Sequence, residues 1–363
     1  MIIEKYSNIQ ALPASFQNSF IEDIDKKNKN LFKKMTWFDL LQKHISCDGR
    51  EVIYYCVLDE TQNIQAIFPL IKTYGKDRKG YSLSSLANYY SMEYEPYFCK
   101  KTRNCQKEIS IFVDYLATEE KGWTHLSLFP MDAGKLSTLY LKEALQKYFK
   151  LTHSLSHKNW VYENTAKNFR EYLSASPSRI KDIARKERRL NREHEVSFKL
   201  WSDKTNIEEG ITDYFNVYHQ SWKDEEHYKG FIPDLMRLCA TEKTLRLGIL
   251  YVDNIATAAQ FNIFHGTTTL IYKLSYHEDY KHLSTGAILS LKMMQQAFDQ
   301  DHSTEIDYGS GNDPYKREWM TYCHEKIILT AYNNNFSGKY HYLKKTWKAR
   351  LKQFILPMSN PRV

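Results

Sequence analysis

Thr268–Trp319 reads TTLIYKLSYHEDYKHLSTGAILSLKMMQQAFDQDHSTEIDYGSGNDPYKREW, and this stretch decides what fold the chain can adopt. Thr269–Tyr276 is β-branched and aromatic and is bounded by charge, which predicts a strand. The polar loop His277–Leu283 follows, and Ser284-Thr285-Gly286 lead into Ala287–Phe298. There Ile288, Leu291, Met294, Gln295 and Phe298 recur at helical spacing, with Ser284 placed to cap the first turn. Glu305–Tyr308 is a second, shorter strand that ends on the glycine turn Gly309-Ser310-Gly311. The pattern is strand, helix, strand. A helix that opens on small residues offers unpaired amides and the positive end of its dipole, which suits an anion such as a pyrophosphate.

Working outward, the second half supplies helices at Asp213–Trp222 and Pro233–Ala240 and strands at Thr244–Val252 and Ile255–Phe264. After the glycine turn come a short helix, Tyr315–Met320, and a strand, Lys326–Tyr332. The first half has the same order. A helix from Thr36 to Lys43 precedes strands at Glu51–Leu58, Ile64–Ile71 and Tyr81–Ala87. Helix, strand, helix and strand then follow at Glu108–Ala117, Trp123–Phe129, Lys135–Tyr148 and Leu151–Tyr162. Matching orders predict two related α/β units, 1–165 and 166–363, each with a mixed, mainly antiparallel sheet.

Between the halves, Ser176-Pro177 starts a helix on which Ile180, Ile183 and Leu190 form a narrow apolar stripe. Arg179, Lys181, Arg185, Lys186, Arg188, Arg189 and Arg192 crowd its remaining faces. Either this is a solvated surface balanced by Asp182, Glu187 and Glu193, or it meets an acidic carrier, CoA phosphates or RNA. The C-terminal Lys339–Phe354 repeats the question: basic residues surround Leu343, Trp347 and Leu351, so it rests on an anionic membrane or packs on the domain.

A net charge of +8 fits an anionic partner (nucleotide cofactor, nucleic acid or membrane surface) or an ordinary basic soluble protein, and charge alone does not choose; 27 tyrosines point to half-buried or groove-lining surfaces. The six cysteines have no Cys-x-x-Cys spacing and no histidine pairing, which predicts reduced thiols, no metal and a cytoplasmic protein. The sequence holds no apolar run long enough to cross a bilayer and no leader-like N-terminus. It also lacks a Gly-x-Ser-x-Gly elbow, a Walker loop, a Gly-x-Gly-x-x-Gly fingerprint and a His-Glu-x-x-His pair.

Lys281-x-x-Ser284-x-Gly286 is similar to the Arg/Gln-x-x-Gly-x-Gly/Ala loop of GNAT-type N-acyltransferases. With Asp307…Gly311-x-x-x-Tyr315-Lys316 after the helix, Pro177–Lys326 resembles the CelD and FemAB-related group of GNAT-like acyltransferases. The resemblance implies two tandem GNAT-like domains and an N-acyltransferase that moves an acyl group from acyl-CoA to an amine of a sugar, amino acid or cell-envelope precursor. It implies a donor arm along Thr269–Tyr276, near Leu274 and Tyr276, with its pyrophosphate on the amides of Ser284, Thr285, Gly286 and Ala287 beside Lys281. Ser284 stands where the family has its first glycine. Other members of the group use aminoacyl-tRNA, so tRNA or an acyl carrier protein is an alternative partner. A third reading is an inactive binding module of the same fold.

On this resemblance the catalytic candidates are Asp307, Tyr315 and Lys316. Asp307 is either the base that takes or orients the acceptor's proton, or an Asx cap on Gly309–Gly311. Tyr315 is either the acid for the leaving thiolate or a packing aromatic. Lys316 and Arg317 bind an anionic acceptor or carrier, or are solvated. Glu93 and Glu95, in the aromatic loop NYYSMEYEPYF, are a further guess for carboxylates facing the acceptor amine.

Overall fold

A computed structural model describes residues 1–13, 16, 30–45, 49–75, 80–99, 105–163 and 166–355, with side chains through Trp347 in the last helix. Two compact units result: Met1–Ser156 together with Glu325–Val363, and His157–His324. This corrects the expected division at its C-terminal end. The second unit is inserted into the first, because Lys326–Tyr332 pairs with a first-unit strand. The expected break at residue 165 lies outside the described residues.

The first unit has strands β1 (Ile2–Tyr6), β2 (Glu51–Leu58), β3 (Ile64–Tyr74), β4 (Tyr81–Ser85), β5 (Tyr97–Phe98) and β6 (Trp123–Asp132). Its sheet is completed by β7 (Lys150–Glu163) and by β13 (Tyr322–Tyr332) in the order β1-β2-β3-β4-β6-β13-β7. Along it β1 with β2, β2 with β3, β3 with β4 and β6 with β13 pair antiparallel, while β4 and β6 are parallel. Helices α1 (Met35–Ile45), α2 (Gln106–Thr118) and α3 (Leu136–Tyr148) bury apolar faces such as Trp37, Phe38 and Leu41, or Ile109, Phe112, Val113 and Leu116. Phe68 of β3 stacks on Phe112 at 3.9 Å between centroids.

The second unit holds helices α4 (Phe169–Ala175), α5 (Ser178–Glu193), α6 (Ile207–His219) and α7 (Phe231–Thr241). Its strands are β8 (Val196–Trp201), β9 (Leu245–Val252), β10 (Ile255–His265), β11 (Thr268–Tyr276) and β12 (Glu305–Ser310). Helix α8 (Thr285–Asp299) joins β11 to β12, and α9 (Lys316–Trp319) follows. The strand order is β7-β12-β11-β10-β9-β8. Again one pair, β11 with β12, is parallel, and the others are antiparallel.

The apolar stripe read in the sequence builds this core. Ile288, Leu291, Met294 and Phe298 of α8 pack with Ile180, Ile183 and Leu190 of α5 and with Ile306 and Tyr308 of β12, while Gln295 is exposed. A buried Leu or Ile contributes about 1.5–3 kcal/mol, so the three apolar residues of α5 suffice to hold a helix whose other faces are charged.

Candidate active site

The geometry of the site begins where β11 and β12 part. The two strands run side by side for three pairs only, Thr268↔Glu305, Thr269↔Ile306 and Leu270↔Asp307. Directly beyond, Lys273 lies opposite Phe261 while Ile271 lies opposite Asn262, which leaves Tyr272 as an extra residue in β11. Such a bulge bends its strand and re-aims the side chains after it. From there to Tyr276 no β12 residue pairs with β11. The Leu274 carbonyl on this edge accepts a hydrogen bond from Lys223 Nζ at 2.5 Å. A residue's amide and carbonyl point to the same side of a strand, so this edge can take one more extended segment.

The edge runs to the N-terminus of α8. Ser284 there has φ 59 and ψ 32, the left-handed conformation that glycine adopts without steric cost and that a serine holds only under strain. Its side chain makes no cap; instead Lys186 Nζ of α5 donates to its hydroxyl at 3.0 Å. The basic helix therefore delivers a cation to the loop. Lys281 is exposed and pairs with Glu278 at 3.6 Å.

Gly286 is buried, and a Cβ on it would lie 2.8 Å from Tyr276 Cδ1. Its small size lets the helix close on the end of β11. Tyr276 itself rests against Trp222 at 4.4 Å between centroids. Thr285 is buried with its hydroxyl 3.4 Å from the Thr257 carbonyl, and Ala287 packs at the edge of the core.

Asp307 Oδ1 accepts from the Gly309 amide at 2.7 Å and from Asn159 Nδ2 at 3.0 Å, so it does cap the glycine turn. Its neighbours Ile306 and Tyr308 face the α8 core, so strand alternation sends Asp307 to the opposite face of the sheet. Lys316 is buried, with Nζ 2.5 Å from the Ser310 carbonyl, 3.8 Å from Asp313 and 5.5 Å from the Tyr308 ring centre. Burial lowers its pKa against the pull of Asp313 and Asp307.

Tyr315 is 43% exposed and meets the Tyr308 ring edge-on; burial and Asp313 push its hydroxyl up to about 12. Lys223 is partly buried on the loop after α6. Burial first, then Lys273 and Lys316, push it down to about 8 against Glu226. Sequence reasoning missed Lys223 and the Tyr272 bulge, and it named Lys186 only as one cation among seven on the basic helix. Among the described residues no three His, Cys, Asp or Glu side chains converge as metal ligands would.

Among the described residues, the first unit shows no such opening. Beyond the end of β4 the aromatic loop takes up the space: the Tyr94 amide bonds the Pro130 carbonyl at 2.7 Å and its hydroxyl bonds Pro69 at 3.1 Å. Glu93 and Glu95 are not free to face an amine, which corrects that guess. Glu93 is buried and pairs with Lys135 and, at 3.0 Å, with Lys326; Glu95 takes Lys33, Lys135 at 3.3 Å and the Ser137 hydroxyl at 2.7 Å. Against its burial, Lys326 and Lys135 keep Glu93 below the usual carboxylate range.

Residues 177–317 match the family model of the GNAT acetyltransferase domain. No curated protein matches the sequence. Among solved structures, FemX superposes with a TM-score of 0.57 at 12% identity, over 90% of this chain and 96% of that one. A C-terminal DUF2156 domain from Agrobacterium fabrum gives 0.54 at 11% identity, over 89% of this chain and 93% of that one. A conserved protein of unknown function from Bacteroides thetaiotaomicron also gives 0.54, at 10% identity, over 92% and 100%. With the parted parallel strands and the helix that joins them, these matches give the chain the GNAT-like fold of the acyl-CoA N-acyltransferase superfamily.

Proposed function

We propose that the chain is an N-acyltransferase that takes its acyl group from an acyl-CoA-type thioester. The observation that carries this is the parting of β11 from β12 after Leu270, which leaves an unpaired strand edge leading to the N-terminus of α8. The donor's amide-bearing arm would add to that edge and meet the Leu274 carbonyl, which Lys223 would have to release. Its pyrophosphate would sit on the amides of Ser284–Ala287 beside Lys186 and Lys281.

The amine nitrogen attacks the thioester carbonyl carbon; the C–N bond forms, the C–S bond breaks, the ammonium loses a proton and the thiolate gains one. Asp307 is our first choice to orient the acceptor's ammonium, and Lys223, in the neutral form that its pKa of about 8 makes accessible, would take the proton that ammonium sheds. Tyr315 keeps its proton at neutral pH and can supply it to the thiolate. The buried Lys316 ammonium would offset charge growing on the carbonyl oxygen.

A cavity of about 610 Å³ at the end of α6 is lined by Asp213, Asp279, Asn216, Gln220, His219 and His277, among others, with no Lys or Arg. Such a lining suits a polar acceptor that carries an amine. The acceptor we favour is therefore a sugar, amino acid or envelope precursor bearing an amino group.

A second reading, transfer from charged tRNA, is favoured by α5: among the described residues no carboxylate pairs with Lys181, Arg188 or Arg192. Thermal melts with CoA, acyl-CoA and tRNA separate the two. A ligand at a hundred times its dissociation constant stabilises by about 2.7 kcal/mol. Acyl-CoA should raise the melting temperature; a response to tRNA alone would replace the thioester reading, and no response to either would favour the inactive module.

A further inference from the structure

Helix α10 (Phe336–Ile355) closes the first unit, and its apolar side is turned away from it. Phe336, Tyr340, Leu343 and Trp347 are 89%, 55%, 63% and 66% exposed. Their spacing of four, three and four residues puts all four within about 60° on one helix face. The opposite face holds the packing: Gly338 is buried against Asn333, and His341 approaches His125 of β6 at 5.1 Å between rings. Residues 336–355 contain five lysines and one arginine and no acidic residue.

Beside this helix lies a cavity of about 270 Å³ between α10 and strands β6 and β13. His125, His341, Lys344 and Lys345 line it with the hydroxyls of Ser127 and Thr330, and no carboxylate does. Lys344 joins the two features, since it lines the cavity and its ammonium stands 5.9 Å from the Tyr340 ring centre.

We propose that α10 docks the protein on an anionic phospholipid surface, with the aromatic stripe in the interfacial layer and a lipid phosphate in the basic cavity. The charge of the helix selects this occupant. A second copy packed stripe to stripe would bring two sets of like charges together, and nucleic acid has no use for a four-residue apolar stripe. An anionic bilayer satisfies both halves of the surface: aromatic and aliphatic side chains enter the headgroup boundary while lysines meet lipid phosphates. His125 is the internal reporter. It is kept neutral by burial, His341 and Lys345, and a phosphate placed among those groups would favour its charged form.

The test is flotation of the full chain with vesicles of phosphatidylcholine, alone or mixed with phosphatidylglycerol, alongside NMR titration of His125. The chain should float with the mixed vesicles only, less so at high salt, and His125 should titrate at higher pH when they are present. Leu343→Ser with Trp347→Ser, and separately Lys344→Gln with Lys345→Gln, should each weaken binding roughly tenfold or more, with unchanged melting temperature because these side chains are exposed. Equal flotation of wild type and both variants would overturn the proposal. So would absent flotation together with a concentration-dependent dimer that the serine variant abolishes, or a His125 response to inorganic phosphate without any vesicle binding.

Discussion

Replacing Lys223 by Met should stabilise the protein at neutral pH and damage its activity. The ammonium is partly buried beside Lys273 and Lys316, and its pKa falls from 10.5 to about 8. At 1.36 kcal/mol per pH decade that drop corresponds to about 3 kcal/mol of lost stability, or about 2 after allowing for the solvent that reaches the group. The folded state disfavours the charged form, so the loss is complete below about pH 8, shrinks as pH rises from there, and is gone above 10.5.

Methionine keeps the apolar stem and removes the charge, but leaves the Leu274 carbonyl without its donor, at a cost of about 1 kcal/mol. The variant should therefore be about 1 kcal/mol more stable at pH 7 and about 1 kcal/mol less stable near pH 11, with the two stability curves crossing in between. Urea melts of both proteins across that range read the crossing directly. If Lys223 is retained for chemistry, turnover should fall by about two orders of magnitude while stability rises. A variant less stable than wild type at pH 7, by an amount that does not change with pH, would refute the reasoning.

Asp307→Asn keeps the oxygen that caps Gly309, so melting should be unchanged while turnover drops by about two to four orders of magnitude. A rate within about threefold of wild type would leave Asp307 a turn cap and move the acid–base role to Tyr315. Lys186→Gln should weaken acyl-CoA binding about three- to tenfold by isothermal titration, and Ser284→Gly should raise stability by about 1 kcal/mol by relieving the left-handed serine. Gly286→Glu should destabilise by about 1–3 kcal/mol, because its side chain meets the Tyr276 ring. His125 sits near 4, below the usual histidine value, so wild-type stability should fall as pH drops from about 6.5 to 4, by about 1–2 kcal/mol. His125→Asn should show no such acid loss.

The strand–helix–strand core was legible because its local signals are strong: α8 begins at Thr285, directly after Ser284, although that side chain makes no cap, and β11 and β12 fall within two residues of the expected bounds. The strand β8 was missed although Val196–Trp201 alternates polar and apolar residues, because it follows a highly charged helix directly with no turn signal between them. Helix α6 starts at Ile207 rather than Asp213 and stops at His219, because the Trp222 expected on it belongs instead to the loop that meets Tyr276. At the site, Asp307 carries a local signature in the glycines that follow it. Lys223 and Lys186 carry none. Each reaches the site through a tertiary contact with a residue 51 or 98 positions away, which no spacing rule encodes.

The insertion of one unit into the other bears on how the molecule is made. Lys326 bonds Asp132 across 194 positions of sequence. During synthesis β6 emerges with β4 on one side and nothing on the other, and waits until the whole of 157–324 has followed. An unpaired central strand is a template for mispairing and aggregation. The inserted unit contains all of its own sheet apart from the shared β7, so it can fold while the outer one is still incomplete. Of the described strands, β13 is the last to be made and the one that closes the first sheet, so a chain stopped before residue 325 would leave the β6 edge bare.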